Sequence, residues 1–392
     1  MESTLDAFIV GWGHTPFGKL DALDIETLIR DAAREAMADA GITGAEVDGV
    51  WLGHFNSGLV PDGFCSSMIL QADPALRFKP AVRCENACAS GSAALYSALD
   101  AVNSGRCKVA LVVGAEKMTG LDTPGVTAAL SGASYQAEEA GMSFPQIFGR
   151  FAQAYMDVYE DPTDAMARIA VKNHANALRN PLAHMRKAVD LDFCLTASDR
   201  NPVIAPPLKL SDCSLISDGA AAVVVAHRDV LHLFKKAVGF RAAELVSDYL
   251  PLSAKRPELF EGPTIAVRRA YDKARICVAD VDVAEVHDCF TIAELLCVEA
   301  LGLAQSGQGS TVVREGQTER SGILPINPSG GLKAKGHPVG ATGVSMHVMI
   351  ARQLLGAAGE MQLEKRPEIG LCLNLGGGAV NSAVSILEAV KG

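Results

Sequence analysis

The chain repeats itself. Ile42, Ala45, Glu46, Val47 and Asp48 match Ile276, Ala279, Asp280, Val281 and Asp282 without a gap, at a constant offset of 234 residues. The flanking stretches follow one order in both places. DAFIVGWG is a short apolar run. DIETLIRDAAREAMADAG then sets Ile25, Leu28, Ile29, Ala32, Ala36 and Ala40 at helical spacing, with Asp24 placed to cap the helix and Gly41 to end it. VDGVWLGHF reads as a strand. Downstream, KAVGFRAAELVSD, PTIAVRRAYDKARI and VDVAEVHDCF give strand, helix and strand again. Each half continues with a Gly-rich turn, a helix and a β-rich segment: NACASGSAALYSALDAVNSG with KVALVVGAE, and GHPVGATGVSMHVMIARQLLG with IGLCLNLGGGAVNSAVSIL. A duplicated run of alternating strands and helices predicts an α/β fold with sheets covered by helices on both faces. The pattern breaks over residues 120–206, which read as an inserted lobe of loops with one helix around FAQAYMDVY. SDGAAAVVVAH then closes the first half. The expected division is 1–119 with 207–235, the lobe 120–206, and 236–392.

Composition narrows the partners. Ten cysteines are scattered over 392 residues with no C-x-x-C pair, so neither a zinc ribbon nor a thioredoxin motif is written here. A net charge of −10 argues against nucleic acid and anionic membrane. An anionic small ligand needs only local cations or helix N-termini. The opening MESTLDAFIVGWG has no basic region, and no stretch approaches the roughly 18–20 apolar residues of a membrane span. The expectation is a cytoplasmic, reduced protein.

Two stretches can carry chemistry. In NACASGSAAL, Cys88 stands where an extended segment turns into a helix beginning near Ser90. A thiol there feels unpaired N–H groups and the positive end of the helix dipole, which favours thiolate. Small neighbours leave room for a substrate. The alternative is a buried cysteine in a tight turn. In NPSGGLKAKGHPVGATG, glycines and prolines specify backbone shape, and His337 sits in the turn before a helix. Its imidazole can take a thiol proton or donate to an oxyanion, or it is a loop histidine bonded to backbone.

Together these stretches resemble the thiolases. NACASGSAAL resembles their nucleophile motif, NPSGGLKAKGHPVGATG their Gly-His-Pro motif, NLGGGAVNSA their C-terminal glycine motif, and SDGAAAVVV the strand after their inserted loop domain. The resemblance covers the whole chain. It implies two βαβαβαββ halves stacked as five layers around an inserted loop domain. Two departures stand out. Most thiolases carry Asn-Glu-Ala-Phe where this chain has His287, Asp288, Cys289 and Phe290, and a second catalytic cysteine where it has Asn374. This pairing resembles the sterol-carrier-protein-type thiolases and related bacterial and archaeal enzymes. It implies Cys289 as the second cysteine, with Cys372 as its rival, and His287 in place of the oxyanion-supporting asparagine.

The implied reaction is acyl-CoA C-acyl transfer, forming or cleaving a 3-ketoacyl-CoA through an acyl-enzyme on Cys88 with His337 as base. One oxyanion hole is expected from His287 and His337, the other from the N–H groups of Cys88 and Gly376. Ser214 matches a serine that contacts pantetheine in the family. Lys172, Arg179, Arg186 and Lys187 either meet the CoA phosphates or form a solvated helix face. His54 is expected to be structural, and Cys84 and Cys107 to lie in the core. No metal or redox cofactor is implied. A homodimer or tetramer is expected, and some relatives with HDCF work beside a small OB-fold protein. A ketoacyl synthase would not combine GHPVGATG with HDCF. Retro-aldolases of this kind usually lack the nucleophilic cysteine. A non-catalytic CoA-binding scaffold would not need Cys88, Cys289, His287 and His337 together.

Overall fold

The computed structural model describes residues 5–392. The first four residues, where the expected first half and the leader reading both begin, lie outside the described residues. Helix α1 (Ile25–Ala40) runs as its spacing predicts. It buries Ile25, Leu28, Ile29, Ala32, Ala33, Ala36 and Met37, the Asp24 carboxylate accepts from Thr27 N–H at 2.8 Å, and Gly41 ends it with φ 75°.

The first half supplies strands β1 (Ala7–His14), β2 (Gly49–Gly53), β3 (Ala81–Cys84), β4 (Val109–Glu116) and β7 (Gly219–His227). The second supplies β8 (Ala237–Ser247), β9 (Val283–Val286), β10 (Ile369–Gly376) and β11 (Asn381–Lys391). They form one hydrogen-bonded series in the order β3-β2-β4-β7-β1-β8-β11-β10-β9. Because β8, β9, β10 and β11 repeat β1, β2, β4 and β7, the order is mirrored about the β1–β8 junction. That junction is thin, with only Phe8–Gly239 and Ile9–Val238 paired. The duplication is not complete. β3 pairs in parallel with β2 over four residues, whereas the equivalent flank of β9 carries only an isolated bridge, Ala284–Ile326.

The five expected layers are present. Helix α1 covers one face of the first half. Helices α2 (Ser90–Asn103) and α11 (Val339–Leu354) lie side by side between the two halves. Helices α8 (Glu261–Ala274) and α9 (Thr291–Ala300) cover the far side of the second. The central pair touches backbone to backbone. A Cβ on Gly91 would stand 2.7 Å from the Gly340 carbonyl oxygen, and one on Gly343 would stand 2.4 Å from the Ser92 nitrogen. This approach sets the N-terminus of α2, just after Cys88, beside that of α11, just after His337.

The lobe differs from the expectation. In place of one helix it holds α3 (Thr123–Ser131), α4 (Gln136–Glu139), α5 (Phe144–Val158), α6 (Thr163–Ala177) and α7 (Leu191–Leu195), followed by a small hairpin of β5 (Val203–Ala205) and β6 (Leu208–Lys209). The expected boundary at 206 cuts that hairpin, and the first half resumes only at β7. The tandem prolines Pro206 and Pro207 make the hairpin turn. One further short helix, α10 (Gly309–Arg314), packs against α6 and α9. No helix among the described residues is long and apolar enough to cross a membrane.

The helix contact makes a direct prediction. Gly91→Ala should lower unfolding stability by about 1–3 kcal/mol through overpacking. Gly63→Ala, whose added Cβ would meet nothing within 4 Å, should leave it unchanged. Urea denaturation followed by circular dichroism reads both, and equal midpoints for the two variants would refute the contact.

Candidate active site

Cys88 sits in a tightly wound turn. Ala89 N–H donates to Asn86 O at 2.9 Å, Ser90 N–H to Ala87 O at 3.1 Å, and Ala87 takes φ 49°. The Ser90 hydroxyl closes the turn, donating to Ala87 O at 2.6 Å and accepting from Asn86 N–H at 2.9 Å. The thiol is thereby held at the head of α2. Its ionisation differs from the expectation. Burial pushes the Cys88 thiol up to about 12, and the charge of Glu116 adds to this, against the Gly377 N–H that faces the sulfur. The resting group is a neutral thiol, because lost hydration outweighs the helix dipole.

His337 stands in the turn before α11. The Thr342 hydroxyl donates to Pro338 O at 3.0 Å and so accepts from His337 Nδ1–H at 2.7 Å. His337 Nε2 has no protein partner among the described residues and is not sealed from solvent. Burial, then the charge of Lys335, pulls this imidazole down to about 3, so it is neutral and carries a free lone pair on Nε2. A neutral thiol beside a neutral imidazole with an open nitrogen is a nucleophile with its base.

HDCF follows the end of β9. The Asp288 carboxylate accepts from Leu332 N–H at 2.6 Å, Lys333 N–H at 3.1 Å and Asn173 Nδ2 at 2.7 Å. It thereby anchors Gly331–Lys335, a single π-helical turn leading into His337. Gly331 has φ 59°, and a Cβ there would stand 2.2 Å from Asp288 Oδ2. Burial, then the charge of Glu294, pushes Asp288 up to about 7. This anchoring role escaped the sequence reading. Its one signal was the register of the repeat, which sets Asp288 opposite His54, another buried group just past a strand.

One ligand-type atom from each of Cys88, His287 and His337 lies within 4.8 Å of the others, three donors of the kind a soft metal takes. The two imidazole rings meet edge to face, with centroids 5.1 Å apart. Cys88, His337 and Cys289 open onto one cavity of about 250 Å³, with Ser214 and Gly377 on its wall and Val126, Leu130, Phe144, Phe148 and Phe290 making it apolar. Ser214 is tied to HDCF by its N–H, which donates to Cys289 O at 2.9 Å. Burial, then the neighbouring charges of Cys88 and Asp288, holds the Cys289 thiol well above its ordinary value.

Several expected residues lie elsewhere. Cys372 is fully buried in β10 opposite Glu285 and Ser385, away from the cavity wall. The N–H that faces the Cys88 sulfur belongs to Gly377; Gly376, the expected donor, pairs with Asn381 at the end of the β10–β11 ladder. Lys172 is not available to a phosphate, because it is buried in an ion pair with Glu294 and donates to Ile326 O at 3.1 Å. Arg179 lines a different cavity beside Asp282, at the start of β9, whereas His287 follows its end. Arg186 and Lys187 are exposed on the lobe. His54 is structural as expected: burial opposes its charge, yet Glu116, 2.9 Å away, carries it up to about 10. Glu116 in turn accepts from Phe55 N–H and Gly340 N–H. Cys107 is buried in the core, while Cys84 is half-buried on the edge strand β3.

Residues 7–191 match the family described as thiolase, N-terminal domain, and residues 247–389 that described as thiolase C-terminal domain-like. The acetyl-CoA acetyltransferase of Methanothermobacter thermautotrophicus is 38% identical over 389 residues, 98% of this chain and 99% of that protein. Sterol carrier protein 2 of Homo sapiens is 33% identical over 394 residues, 95% of this chain and 70% of that protein. Among solved structures, an Ltp2-ChsH2(DUF35) aldolase has a TM-score of 0.84 at 23% identity, covering 99% of both chains. Human mitochondrial 3-ketoacyl-CoA thiolase in complex with CoA has a TM-score of 0.74 at 18% identity, covering 98% of both. With both domain families in order along nearly its whole length, the chain belongs to the thiolase family.

Proposed function

We propose that this chain is an acyl-CoA C-acyltransferase of the thiolase kind, forming or thiolytically cleaving 3-ketoacyl-CoA. The observation that carries the reading is the convergence of two thiols and one imidazole, Cys88, Cys289 and His337, on a single apolar cavity, with His287 directly behind.

In the first half-reaction His337 Nε2 takes the Cys88 proton and the sulfur attacks the thioester carbonyl. The N–H groups of Cys88 and of the glycine run, where Gly377 faces the sulfur, are assigned to the oxyanion. The CoA sulfur leaves with the proton from His337, and the acyl group stays on Cys88. In the second, His287 donates to the thioester oxygen of another acyl-CoA, while Cys289, its own thiol proton first given up to water, removes the Cα proton. The carbanion attacks the acyl-enzyme, and Cys88 departs as thiolate. In thiolysis Cys289 serves as acid instead, and its resting neutral thiol is the form that direction uses. Ser214 is assigned to the pantetheine arm, and Arg186 with Lys187 to the CoA phosphates. Two catalytic thiols have to stay reduced, which favours the cytoplasm.

A second reading has one observation behind it, the likeness to the Ltp2-ChsH2(DUF35) aldolase. A retro-aldol cleavage needs no acyl-enzyme. Incubation with acetoacetyl-CoA and CoA, followed by mass spectrometry of Cys88, separates the two: an acetyl adduct on Cys88 supports acyl transfer, and its absence with cleavage of an aldol substrate overturns it.

Association is proposed through β3. This edge strand carries half-exposed Val82, and beside it Phe64 and Phe78 are 75% and 87% exposed. Light scattering should give twice the mass of the chain, with Val82→Asp shifting it to one; a stable, active monomer of the unaltered chain would refute the dimer. A second protein beside it, such as the ChsH2(DUF35) of that pairing, would show as mass beyond a multiple of this chain when the two are co-expressed.

The cysteines divide the half-reactions. Cys88→Ala should abolish both. Cys289→Ala should still be acylated in a burst yet lose steady-state thiolysis by about 10²–10⁴-fold. Cys372→Ala should affect packing alone. If Cys372→Ala lost turnover while Cys289→Ala kept it, the assignment would be reversed.

The burst itself should be indifferent to pH. The neutral thiol–imidazole pair predominates between about 3, below which His337 is protonated, and about 12, above which Cys88 is ionised. The acylation rate constant should therefore stay level from about pH 5 to about pH 9. A tenfold rise per unit across that range, read by rapid quench, would mean that thiolate formation does not pass through His337.

A further inference from the structure

We propose that Asn374 is a positioning residue that fixes His287 as the Nε2–H tautomer and so makes it a donor and never a base. Asn374 is fully buried near the end of β10. Its Nδ2 lies 3.2 Å from the carbonyl oxygen of Cys88 and 3.0 Å from His287 Nδ1, and its Oδ1 accepts from Ser92 Oγ at 2.8 Å. The Cys88 carbonyl can only accept, so the amide nitrogen has to face it, and the amide cannot be turned round. The two amide hydrogens then go one to Cys88 O and one to His287 Nδ1. A nitrogen that receives a hydrogen bond holds a lone pair. His287 is neutral, because burial and the nearby His337 keep its basicity well below the ordinary value. Its one ring proton is therefore on Nε2. That atom has no protein partner among the described residues, yet it is not sealed from solvent.

The two active-site imidazoles thus carry opposite tautomers. Thr342 accepts from His337 Nδ1–H and leaves a lone pair on Nε2. Asn374 donates to His287 Nδ1 and leaves a proton on Nε2. One ring is set to take the Cys88 proton and the other to donate to the thioester oxygen of the second acyl-CoA. With the tautomers exchanged, neither duty could be met. The assignment of the donor's task rests on the thiolase reading above; the tautomer itself does not.

The tautomer can be observed directly. Long-range proton–nitrogen NMR on protein labelled with ¹⁵N-histidine, with His287→Gln to assign the signal, should show Nε2–H and a bare Nδ1 on His287 near neutral pH. An Nδ1–H ring or an imidazolium there overturns the proposal, even if thiolysis is robust. Conversely, an Nε2–H ring in a protein without thiolase activity leaves the proposal standing and removes the reaction assigned to it. Two variants supply the functional arm, read as exchange of the Cα protons of acetyl-CoA in heavy water and compared with burst acylation of Cys88. Asn374→Asp offers acceptors only and pulls the His287 proton to Nδ1, so exchange should fall by about 10²–10³-fold, and by more than acylation does. Asn374→Ala leaves the ring free to choose and should lose less. A merely structural role gives the opposite ranking, since Asp keeps the volume of Asn while Ala opens a cavity. That ranking would overturn the proposal. If Asn374→Asp fails to fold, the spectrum of the unaltered protein still decides.

Discussion

The contact on which the site depends is the backbone-to-backbone approach of α2 and α11. Two helices from opposite halves can bring their N-termini together only if no side chain separates them, and Gly91, Gly340 and Gly343 remove the obstruction. Cys88 and His337 each sit in the turn just before one of these helices, so the separation of nucleophile and base is fixed by a helix contact rather than by loops. Glu116 secures the same junction from the side, reaching both Gly340 at the start of α11 and the segment after β2.

Beneath this contact lies a layer of buried charge. Lys172, Glu294, Asn173 and Asp288 link the lobe helix α6 to α9 and to the turn that precedes His337. Removing one partner from such a network leaves the others charged and unpaired in a dry interior, which is why its members act as a unit. The lobe is therefore more than a cover over the cavity. Through Lys172 and Asn173 it also braces HDCF and the Gly-His-Pro segment against each other, and burial, helped by the charge of Lys335 beside Glu285, keeps His337 neutral.

Much of this was legible in the residues. The repeat offset gave the two halves, the spacing in α1 gave its buried face and both caps, and the Gly-rich stretches around Cys88 and His337 marked turns before helices. What escaped shares a physical cause. The ionisation of Cys88 depends on how much water remains around it, which no local pattern records. Lys172 lies in a helix whose charges looked solvated, and only the packing of α6 on α9 reveals that it is buried. Asn374 read as the loss of a catalytic thiol, because its value lies in two acceptors 286 and 87 residues away in the chain. The lobe was read as mostly loop because α3, α4 and α7 are short and its hairpin turns on two prolines, and this hid α6, which is as long as α5.

The incomplete duplication bears on growth. Each half of the sheet has an outer rim. On the first it is β3, a free strand; on the second it is β9, already flanked by the Ile326 bridge. A chain with two like rims could add a copy at each and lengthen without limit, as fibrils do. With one rim partly bridged by its own loop, β3 is the more open of the two edges among the described residues. Under the proposed association through β3, the unequal rims would favour a single pairing over continued growth.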